Sequence, residues 1–441
     1  MDSSLRGRRR DAPYPGAPRP GGHGARRLRR ALATLIALLV AALVASPLLG
    51  CSGAFDLGQT GGDAQAAATM SARGPSGASG RQASDRPAEP DEAATLDMVC
   101  VGDVIGHMPL VDSGLAPDGT RSYDHLFAQV RPDIEAADVA VVNQETPLGG
   151  EGLGLSGYPL FNSPQELGDA EVAAGFDVVT CATNHAVDKG AQGIANELAF
   201  WRTRHPETKV LGIADSQASY DQICVVEKDG LKVALLNYAY GLNGLSMPAD
   251  NPYAVHLLDE GQVAADLARA RQMADMVVVF PHWGDEYATA PNDNQRRWAR
   301  FFCDNGADVI VGTHTHSLQP VETIEGDGDR HALVFWSLGN FASNQPTALK
   351  ATGGMAKVRL VKDDTGCYVA SWELDPVVCQ IGRGTAFTVY RLSAYTDELA
   401  ASNGAGVGTV AAIQDVCSAA LGPAYDREHS VLAGGEVRTA A

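Results

Sequence analysis

Short apolar runs rich in β-branched residues alternate with helix-like segments through the central part of the chain. Runs that are apolar at nearly every position are typical of strands covered on both faces of a sheet. The strand-like runs are 96–103, 138–145, 177–183, 232–240, 276–282, 308–314 and 332–340. The helix-like segments between them are 165–174, 191–203, 262–274 and 293–305. This alternation predicts an α/β layered fold.

The pattern changes after residue 350. The stretches MAKVRLVKDD (355–364) and CYVASWEL (367–374) predict an antiparallel hairpin, and the Ala- and Gly-rich end, 395–441, predicts one helix. Cys367 and Cys379 flank a strand and could form a disulfide, which the sequence leaves open. No CxxC spacing occurs in the chain, so a zinc site built from thiolates is not expected.

The first 50 residues carry the pattern of an export signal. Clustered arginines, among them ARRLRR (25–30), precede the apolar run ALATLIALLVAALVASPLLG (31–50) and then Cys51. A basic region followed by an apolar run is typical of a secretory signal, and LLGC (48–51) resembles the lipobox of bacterial lipoproteins. We expect a lipid anchor on Cys51 at the outer face of the cytoplasmic membrane. An uncleaved membrane anchor is the alternative, because the apolar run is long enough to span a bilayer.

Residues 51–94 separate this signal from the folded part of the chain. They are rich in Gly, Ala, Ser, Gln and Pro, as in RGPSGASGRQASDRPAEP (73–90). With few large apolar side chains the stretch cannot offset its ordering entropy, so we expect a flexible tether. The main domain is expected over 95–345, with C-terminal strands and a helix over 346–441 that complete or extend it.

The chain beyond the first 50 residues is strongly acidic. Nine of the 34 Lys and Arg residues and two of the 53 Asp and Glu residues lie in that first segment, which leaves a formal charge of −26 for the rest. A domain with this charge repels nucleic acid and anionic lipid surfaces and attracts cations. We therefore expect no nucleic-acid partner.

Polar side chains stand at the ends of six predicted strands. They are Asp103, Asn143, Glu145, Asn184, His185, Asp188, His282, Glu286, His314, His316 and Asn340. In α/β sheets, ligands bind outside the carboxyl ends of the strands. Carboxylate, amide and imidazole groups gathered there can hold one or two divalent cations. Carboxylates that would repel one another also become compatible when a cation lies between them.

Each of these residues also has a structural explanation. An Asp or Asn at a strand end commonly forms a turn or caps a helix, which would suit Asp103 and Asn143, and His185 alone could be a hydrogen-bonded structural histidine. The sequence THTH (313–316) is harder to explain structurally. In an extended segment both imidazoles would lie on one side, which suits chelation better than packing. The occurrence of such residues at successive strand ends therefore favours a metal or catalytic cluster.

Six motifs in a fixed order resemble a known family. They are VGDV (101–104), NQE (143–145), TNHAVDKG (183–190), HWGDEY (282–287), GTHTHSLQPVE (312–322) and SLGNFASNQ (337–345). Together they resemble the CapA family of bacterial poly-γ-glutamate capsule proteins, over roughly residues 96–345. That family is similar to the calcineurin-like metallophosphoesterases. The resemblance implies a four-layer αββα metallophosphoesterase-like sandwich, here with a C-terminal hairpin and helix extension.

The resemblance also implies roles for individual residues. The metal ligands it implies are Asp103 and His316 for the first metal, Glu145 between the metals, and Asn184, His282 and His314 for the second. It further implies that His185 protonates a leaving group and that Asp188 orients His185. One or two divalent ions are expected, with Mn, Fe, Zn and Mg all open.

Two positions depart from the phosphoesterase pattern. That pattern has a histidine two residues after the first aspartate, whereas this chain has Ile105 there, with His107 nearby. The Gly-Asp of the second motif is replaced by Asn143, Gln144 and Glu145. These departures concern the first metal, and whether it is held stays open.

Two functions fit the resemblance. One is a metal-dependent enzyme that hydrolyses or transfers a phosphoester or a γ-glutamyl amide, with His185 as general acid. The other is a non-catalytic accessory subunit that holds polymer or partner proteins in a capsule machine. In both cases the implied partners are poly-γ-glutamate or a related polymer and the membrane proteins of capsule synthesis and export.

Overall fold

The computed structural model describes residues 93–382 and 387–439. The predicted signal segment 1–50, the predicted lipid attachment at Cys51 and the tether up to residue 92 lie outside the described residues. The first described strand begins at Ala94, beside the predicted start of the folded part near Thr95.

The described residues form strands at all seven predicted runs and at further, mostly short, segments. The strands are β1 (Ala94–Val104), β2 (Val139–Gln144), β3 (Val178–Thr180), β4 (Lys209–Leu211), β5 (Cys224–Lys228), β6 (Leu231–Ala239), β7 (Met276–His282), β8 (Val309–Val311), β9 (Val321–Glu325), β10 (His331–Phe335), β11 (Asn340–Ala342), β12 (Thr352–Asp363), β13 (Gly366–Ile381), β14 (Phe387–Arg391) and β15 (Leu432–Gly434).

The four predicted helices are also present, together with shorter ones. The helices are α1 (Met108–Ser113), α2 (Asp124–Phe127), α3 (Arg131–Glu135), α4 (Glu166–Ala174), α5 (Gly190–Arg204), α6 (Gln217–Tyr220), α7 (Glu260–Met273), α8 (Asp293–Asp304), α9 (Ala348–Ala351), α10 (Asp397–Ser402) and α11 (Val410–Leu421). Within the described ranges, no helix combines the length and apolar character needed to cross a membrane.

The strands form two sheets. The first sheet has the order β14-β13-β12-β1-β2-β3-β4, with β11 beside β1 and β15 beside β13. Its strands β1 to β4 are parallel, and β12 to β14 add to it in antiparallel fashion. The second sheet has the order β5-β6-β7-β8-β10-β9, with parallel strands inside and antiparallel strands at both edges.

Alternate residues of the second sheet face two different cores. On β7, Met276, Val278 and Phe280 belong to the core shared with the first sheet, whereas Val277 and Val279 pack with helices α7 and α8. Helices α4 and α5 connect the parallel strands of the first sheet and pack into its core. The layers therefore run helix, sheet, sheet, helix, which confirms the predicted α/β fold and αββα order.

The C-terminal hairpin is longer than the sequence pattern indicates, and it excludes the Cys367–Cys379 disulfide that the sequence leaves open. Strand β13 runs without a break from Gly366 to Ile381. Cys367 and Cys379 lie near its opposite ends and are both free thiols. Twelve residues of extended strand separate them by about 40 Å, so they cannot pair. The C-terminal region also contains two helices, α10 and α11, where one was predicted.

Two glutamates are buried between the first sheet and its helices. Glu171 on α4 is 0% exposed and Glu197 on α5 is 2% exposed. Neither carboxylate oxygen of Glu171 has a hydrogen-bond partner in the described part of the chain, while Glu197 accepts a hydrogen bond from the Cys181 thiol at 3.5 Å. Burial raises the pKa of Glu171 well above its ordinary value and raises that of Glu197 to about 7. Burial therefore favours the protonated form of both groups.

We expect the variants Glu171→Gln and Glu197→Gln to be more stable than the native protein at pH 8. A carboxyl whose pKa is raised by folding does not reduce the free energy of unfolding at pH values below the pKa of that group in the unfolded chain. The cost grows as the pH rises toward the folded pKa, here about 7 for Glu197, and it reaches about 1–3 kcal/mol. Urea unfolding at pH 5 and pH 8 measures the difference.

The exposed Glu398 on α10 provides the control. Glu398→Gln makes the same chemical change without burial, so its stability difference should depend little on pH. A buried variant with the same small, pH-independent effect as Glu398→Gln would contradict the prediction.

Candidate metal centre

The strand ends of both sheets meet at one buried cluster. Asp103 is the second-last residue of β1, Glu145 directly follows β2, and His282 is the last residue of β7 in the second sheet. The other predicted site residues follow β3 and β8, and they are Asn184, His185, Asp188, His314 and His316. All eight are buried. Residues as far as 213 positions apart in sequence are in hydrogen-bond contact.

A side-chain amide links the turn after β3 to the second sheet. Asn237 on β6 accepts a hydrogen bond from the Ala182 backbone at 2.7 Å and donates to the Phe280 carbonyl at 2.7 Å. This bridge holds the turn that carries Asn184 and His185 against the strand that carries His282. The sequence run TCATNHAVDKG therefore lies at the junction of the two sheets.

The carboxylate of Asp103 is oriented from two directions. Its Oδ1 accepts a hydrogen bond from the Asn143 amide at 2.8 Å, and the Asn143 oxygen in turn accepts one from Thr180 at 2.9 Å. Its Oδ2 lies 3.0 Å from Nδ1 of His316. Asn143 therefore positions Asp103 within this network.

The backbone before Asp103 requires glycine. A Cβ at Gly102 would lie 1.9 Å from the carbonyl oxygen of Gly339, and the Asp103 amide donates to that same oxygen at 2.9 Å. Strand β11 follows this contact and pairs with the end of β1. The close approach brings the strand end and the 338–342 segment together at the cluster.

The THTH segment reaches its geometry by a route that differs from the extended one expected. His314 and His316 have positive φ angles, 93° and 56°, in a region that L-residues rarely adopt. The extended alternation was therefore wrong, although the two rings do converge, with centroids 5.9 Å apart. Local backbone strain of this kind is typical of functional sites.

Glu145 gives the clearest indication of a cation site. Its carboxylate is 1% exposed, and neither oxygen has a hydrogen-bond partner in the described ranges. The nearest ionisable groups are two imidazoles. Oε2 of Glu145 lies 3.7 Å from Nδ1 of His316, and Oε1 lies 3.9 Å from Nε2 of His282. A buried carboxylate this poorly satisfied is strongly unfavourable unless a charge compensates it.

The ligand atoms form two groups that share Glu145. One group is Glu145, His282 and His314, and the other is Asp103, Glu145 and His316. Within each group the candidate ligand atoms lie within 4.8 Å of one another. Nδ1 of His314 also has no hydrogen-bond partner in the described residues. These orphaned atoms fit one or two divalent cations, with Glu145 positioned to contact both.

Asn184 completes the second group. Its Oδ1 lies 2.9 Å from Nε2 of His282, and its amide nitrogen donates to Asn243 at 3.1 Å. Nδ1 of His282 is 2.9 Å from the Thr313 hydroxyl, so the other ring nitrogen faces Asn184 and Glu145. Imidazole and oxygen donors together suit Zn, Fe or Mn better than they suit Mg, which prefers an all-oxygen shell.

The protonation of the histidines differs between the two groups. Burial and the neighbouring imidazoles lower the pKa of His282 well below its ordinary value and lower that of His314 to about 3. Both are therefore neutral and can bind a cation. Burial also acts to lower the pKa of His316, but Glu145 and Asp103 outweigh it and raise that pKa to about 9. Burial, opposed by His316, raises the pKa of Glu145.

His185 and Asp188 form a pair beside the two groups. Nδ1 of His185 lies 2.7 Å from the Asp188 carboxylate, which also accepts the Phe161 backbone amide at 2.7 Å. The Phe161 ring meets His185 edge to face at 4.7 Å. The carboxylate fixes the proton on Nδ1 and leaves Nε2 available, 3.4 Å from the amide nitrogen of Asn243.

Three neighbouring residues differ from the sequence expectations in role or position. Asn243, which contacts both Asn184 and His185, was not predicted, although an Asn-Gly turn after a predicted strand is a signal that could have found it. His107 stacks edge-on against Phe161 and belongs to neither ligand group. Glu286 is exposed on the loop after β7 and also lies outside both groups.

We expect cation binding to release at least one proton at pH 7.5. His316, with a pKa of about 9, must lose its Nδ1 proton before it can bind, so affinity should fall as the pH decreases below 9, by up to about tenfold per pH unit for each proton released. Calorimetric titration of metal-stripped protein with Zn²⁺ or Mn²⁺, in buffers of different ionisation enthalpy, counts the protons.

Two glutamate variants test whether the effect belongs to this cluster. Glu145→Gln should lose at least about tenfold in affinity, because it removes the shared anionic ligand. Glu286→Gln makes the same change on the neighbouring exposed loop and should bind nearly as the native protein does. Binding without proton release, or equal affinity in both variants, would exclude this site.

Comparison with known proteins agrees with the sequence motifs. The PGA biosynthesis protein CapA of Bacillus subtilis (strain 168) is 30% identical over 262 residues, which cover 56% of this chain and 64% of that relative. The capsule biosynthesis protein CapA of Bacillus anthracis is 28% identical over 238 residues, which cover 50% of this chain and 54% of that relative. The chain thus spans less than two thirds of the length of either relative.

Among solved structures, the chain is similar to the calcineurin-like phosphoesterase YfkN from Bacillus subtilis. The TM-score is 0.38 and the identity is 12%, over 75% of this chain and 97% of that one.

The profile of the family described as "Bacterial capsule synthesis protein PGA_cap" matches residues 97–345. This range contains all six sequence motifs and confirms the resemblance to the CapA family. Because the match extends over more than half of the chain, the chain belongs to the PGA_cap family of bacterial capsule synthesis proteins.

Proposed function

We propose that this protein is an extracytoplasmic, lipid-anchored component of poly-γ-glutamate capsule synthesis or export, with a metal-dependent hydrolase or transferase site. The observation that carries the catalytic part is the buried, unpartnered carboxylate of Glu145 between two sets of histidine and carboxylate ligands. The site acts on a phosphoester or a γ-glutamyl amide of the polymer or of its precursor.

The ligand assignment follows the two groups. Asp103, Glu145 and His316 would hold one cation, and Glu145, Asn184, His282 and His314 the other. A divalent cation there supplies Lewis-acid activation of the electrophile and of the attacking water. Thr313 and Asn143 act on the ligands His282 and Asp103 and fix their orientation.

The proton transfer belongs to His185. Asp188 holds Nδ1 and stabilises the imidazolium, so Nε2 can deliver a proton to the leaving group. In amide hydrolysis, the oxygen of water bonds to the carbonyl carbon, the C–N bond breaks, and the amine leaves with the proton from Nε2 of His185. In phosphoester hydrolysis, the oxygen of water bonds to phosphorus as the P–O bond to the leaving group breaks, and the same proton goes to the leaving oxygen. In both cases the proton that water loses passes through solvent and restores the proton on Nε2.

We expect His185→Ala to retain metal and fold while losing about 10²–10⁴-fold in turnover, the usual contribution of general-acid assistance. Asn184→Ala or His314→Ala should lose metal and activity together, because those side chains are ligands. Metal analysis of the purified variants, with hydrolysis of phosphoester and γ-glutamyl substrates, separates the two outcomes.

The control is a second histidine–aspartate pair, which belongs to neither ligand group. His205 directly follows α5, and its Nε2 lies 2.7 Å from Asp169 on α4. His205→Ala therefore removes a similar pair without affecting the site. Equal activity of His185→Ala and His205→Ala, with metal present in both, would refute the proton-transfer role.

A non-catalytic accessory subunit is the second candidate. The observation that favours it is the departure at Ile105, which is buried where a ligand histidine would be expected. This role implies that His185→Ala fully supports polymer production in cells. Full support, combined with no hydrolysis by the native protein, would favour the accessory function.

The proposed location depends on residues outside the described ranges. We expect the native protein to incorporate a lipid label, and Cys51→Ser to lose both the label and signal processing. Cys224→Ser changes a half-buried thiol on β5 and should leave labelling intact. A native protein that takes up no lipid would favour the uncleaved membrane anchor instead.

A further inference from the structure

Lys350 has no counter-ion in the described part of this acidic protein. Several other lysines do pair with carboxylates, as Lys357 does with Asp133 and Lys362 with Asp275. No carboxylate lies within ion-pair distance of Lys350 among the residues described in the structure, and it is half-buried. A cation left unpaired in such surroundings is available to an external anion.

Two sets of contacts hold Lys350 beside the metal centre. Its Nζ lies 3.5 Å from the centre of the Tyr287 ring, and that ring lies 5.9 Å from the ring of His316. The carbonyl of Lys350 accepts a hydrogen bond from the Asn340 amide at 2.8 Å, and Oδ1 of Asn340 is 3.1 Å from Nδ1 of His316. Lys350 is therefore linked to the candidate ligand His316 in two ways. Its backbone is linked through Asn340 and its ammonium group through Tyr287.

Tyr287 is itself held in an unusual conformation. Its φ is 67°, its amide donates to the Thr315 carbonyl at 2.6 Å, and the residue is nevertheless 38% exposed. The face of an aromatic ring attracts a cation and fixes its position. This arrangement holds the half-buried Lys350 beside the exposed Tyr287, next to the THTH segment.

Apolar side chains are concentrated on the loops around the cluster. Five of the seven exposed large hydrophobic side chains in the described ranges lie on the loops 154–161, 240–247 and 285–290. Tyr158 is 79% exposed, and Tyr240 is 42% exposed with its ring 4.6 Å from that of His314. Exposed apolar groups gathered in one region are typical of a binding surface. We call Tyr158, Tyr240 and Tyr287 the tyrosine rim.

We propose that Lys350 determines substrate specificity by binding an oxyanion next to the reacting bond, while the tyrosine rim packs against the methylene groups of a linear chain. A γ-linked glutamyl chain has this chemistry, because each unit carries a free carboxylate beside the amide and two methylene groups. A phosphate group offers the same charge without the methylene chain. This inference rests on the proposed function and names the substrate of that site.

The charge balance explains why a single lysine matters here. Glu286 lies on the same loop as Tyr287, and burial together with the charge of Glu286 raises the pKa of Tyr287 to about 12. The surface beside Lys350 is therefore not generally basic. Lys350 is therefore the group that would offset the repulsion between an anionic chain and this acidic surface.

The test compares Lys350→Met, Lys350→Arg and Lys209→Met in the full-length, metal-loaded protein. Lys209 on β4 is exposed, and it also lacks a carboxylate partner among the described residues, so Lys209→Met is matched in charge. Calorimetry would measure binding of a short γ-linked oligoglutamate and of inorganic phosphate. We expect at least about tenfold weaker oligoglutamate binding in Lys350→Met, partial retention in Lys350→Arg, and no change in Lys209→Met or in metal content.

The two probes distinguish the source of the oxyanion. A loss of binding that is confined to oligoglutamate, or that both probes share, supports a γ-glutamyl chain. A loss of binding that is confined to phosphate supports oxyanion binding by Lys350 but assigns the oxyanion to a phosphoester. Equal binding by the native protein and Lys350→Met, or no binding of either probe by the native protein, overturns the inference. That result leaves the proposed metal site standing if Glu145→Gln still loses metal, whereas native protein that binds no metal overturns the proposed function itself.

Discussion

The structure of the site depends on how the buried charge of Glu145 is compensated. An ionised carboxylate removed from water costs on the order of several kcal/mol even after its surroundings relax. The protein supplies no hydrogen-bond donor to either oxygen of Glu145 among its described residues, although it supplies Asp103 with an amide donor 2.8 Å away. The charge of Glu145 must then be compensated by the protonated imidazole of His316 or by a cation. A proton and a divalent cation would therefore compete for the same arrangement.

The two-sheet architecture makes this arrangement possible. Asp103 and Glu145 come from the first sheet, and His282 and His314 come from the second. Neither sheet alone has both halves of a ligand group, and Asn237 joins the two sheets at that point. The αββα layers therefore act as two rigid supports, and the site lies where the strand ends of both supports come together.

Some of this could be predicted from sequence, for physical reasons that differ between elements. Continuous apolar runs gave β1, β6 and β7 because both faces of these strands are buried. The strands β5 and β9 were missed because they are edge strands with exposed polar residues. The sequence pointed to the clustered residues because polar groups at strand ends conflict with burial. It did not predict the conformation of His314 and His316, since positive φ depends on tertiary contacts. Asn243 was missed because the loop that carries it has no repeating pattern of apolar residues.

The tight backbone contact around strand β11 has a consequence for how this site tolerates mutation. A Cβ at Gly102 or at Gly353 would lie 1.9 Å from a carbonyl oxygen of the 339–340 segment. Replacing either glycine would push apart the segments that carry Asp103 and Asn340, without changing any ligand. Substitution of either glycine would therefore disturb the cluster as strongly as the loss of one of its own side chains, although neither glycine contributes a ligand atom.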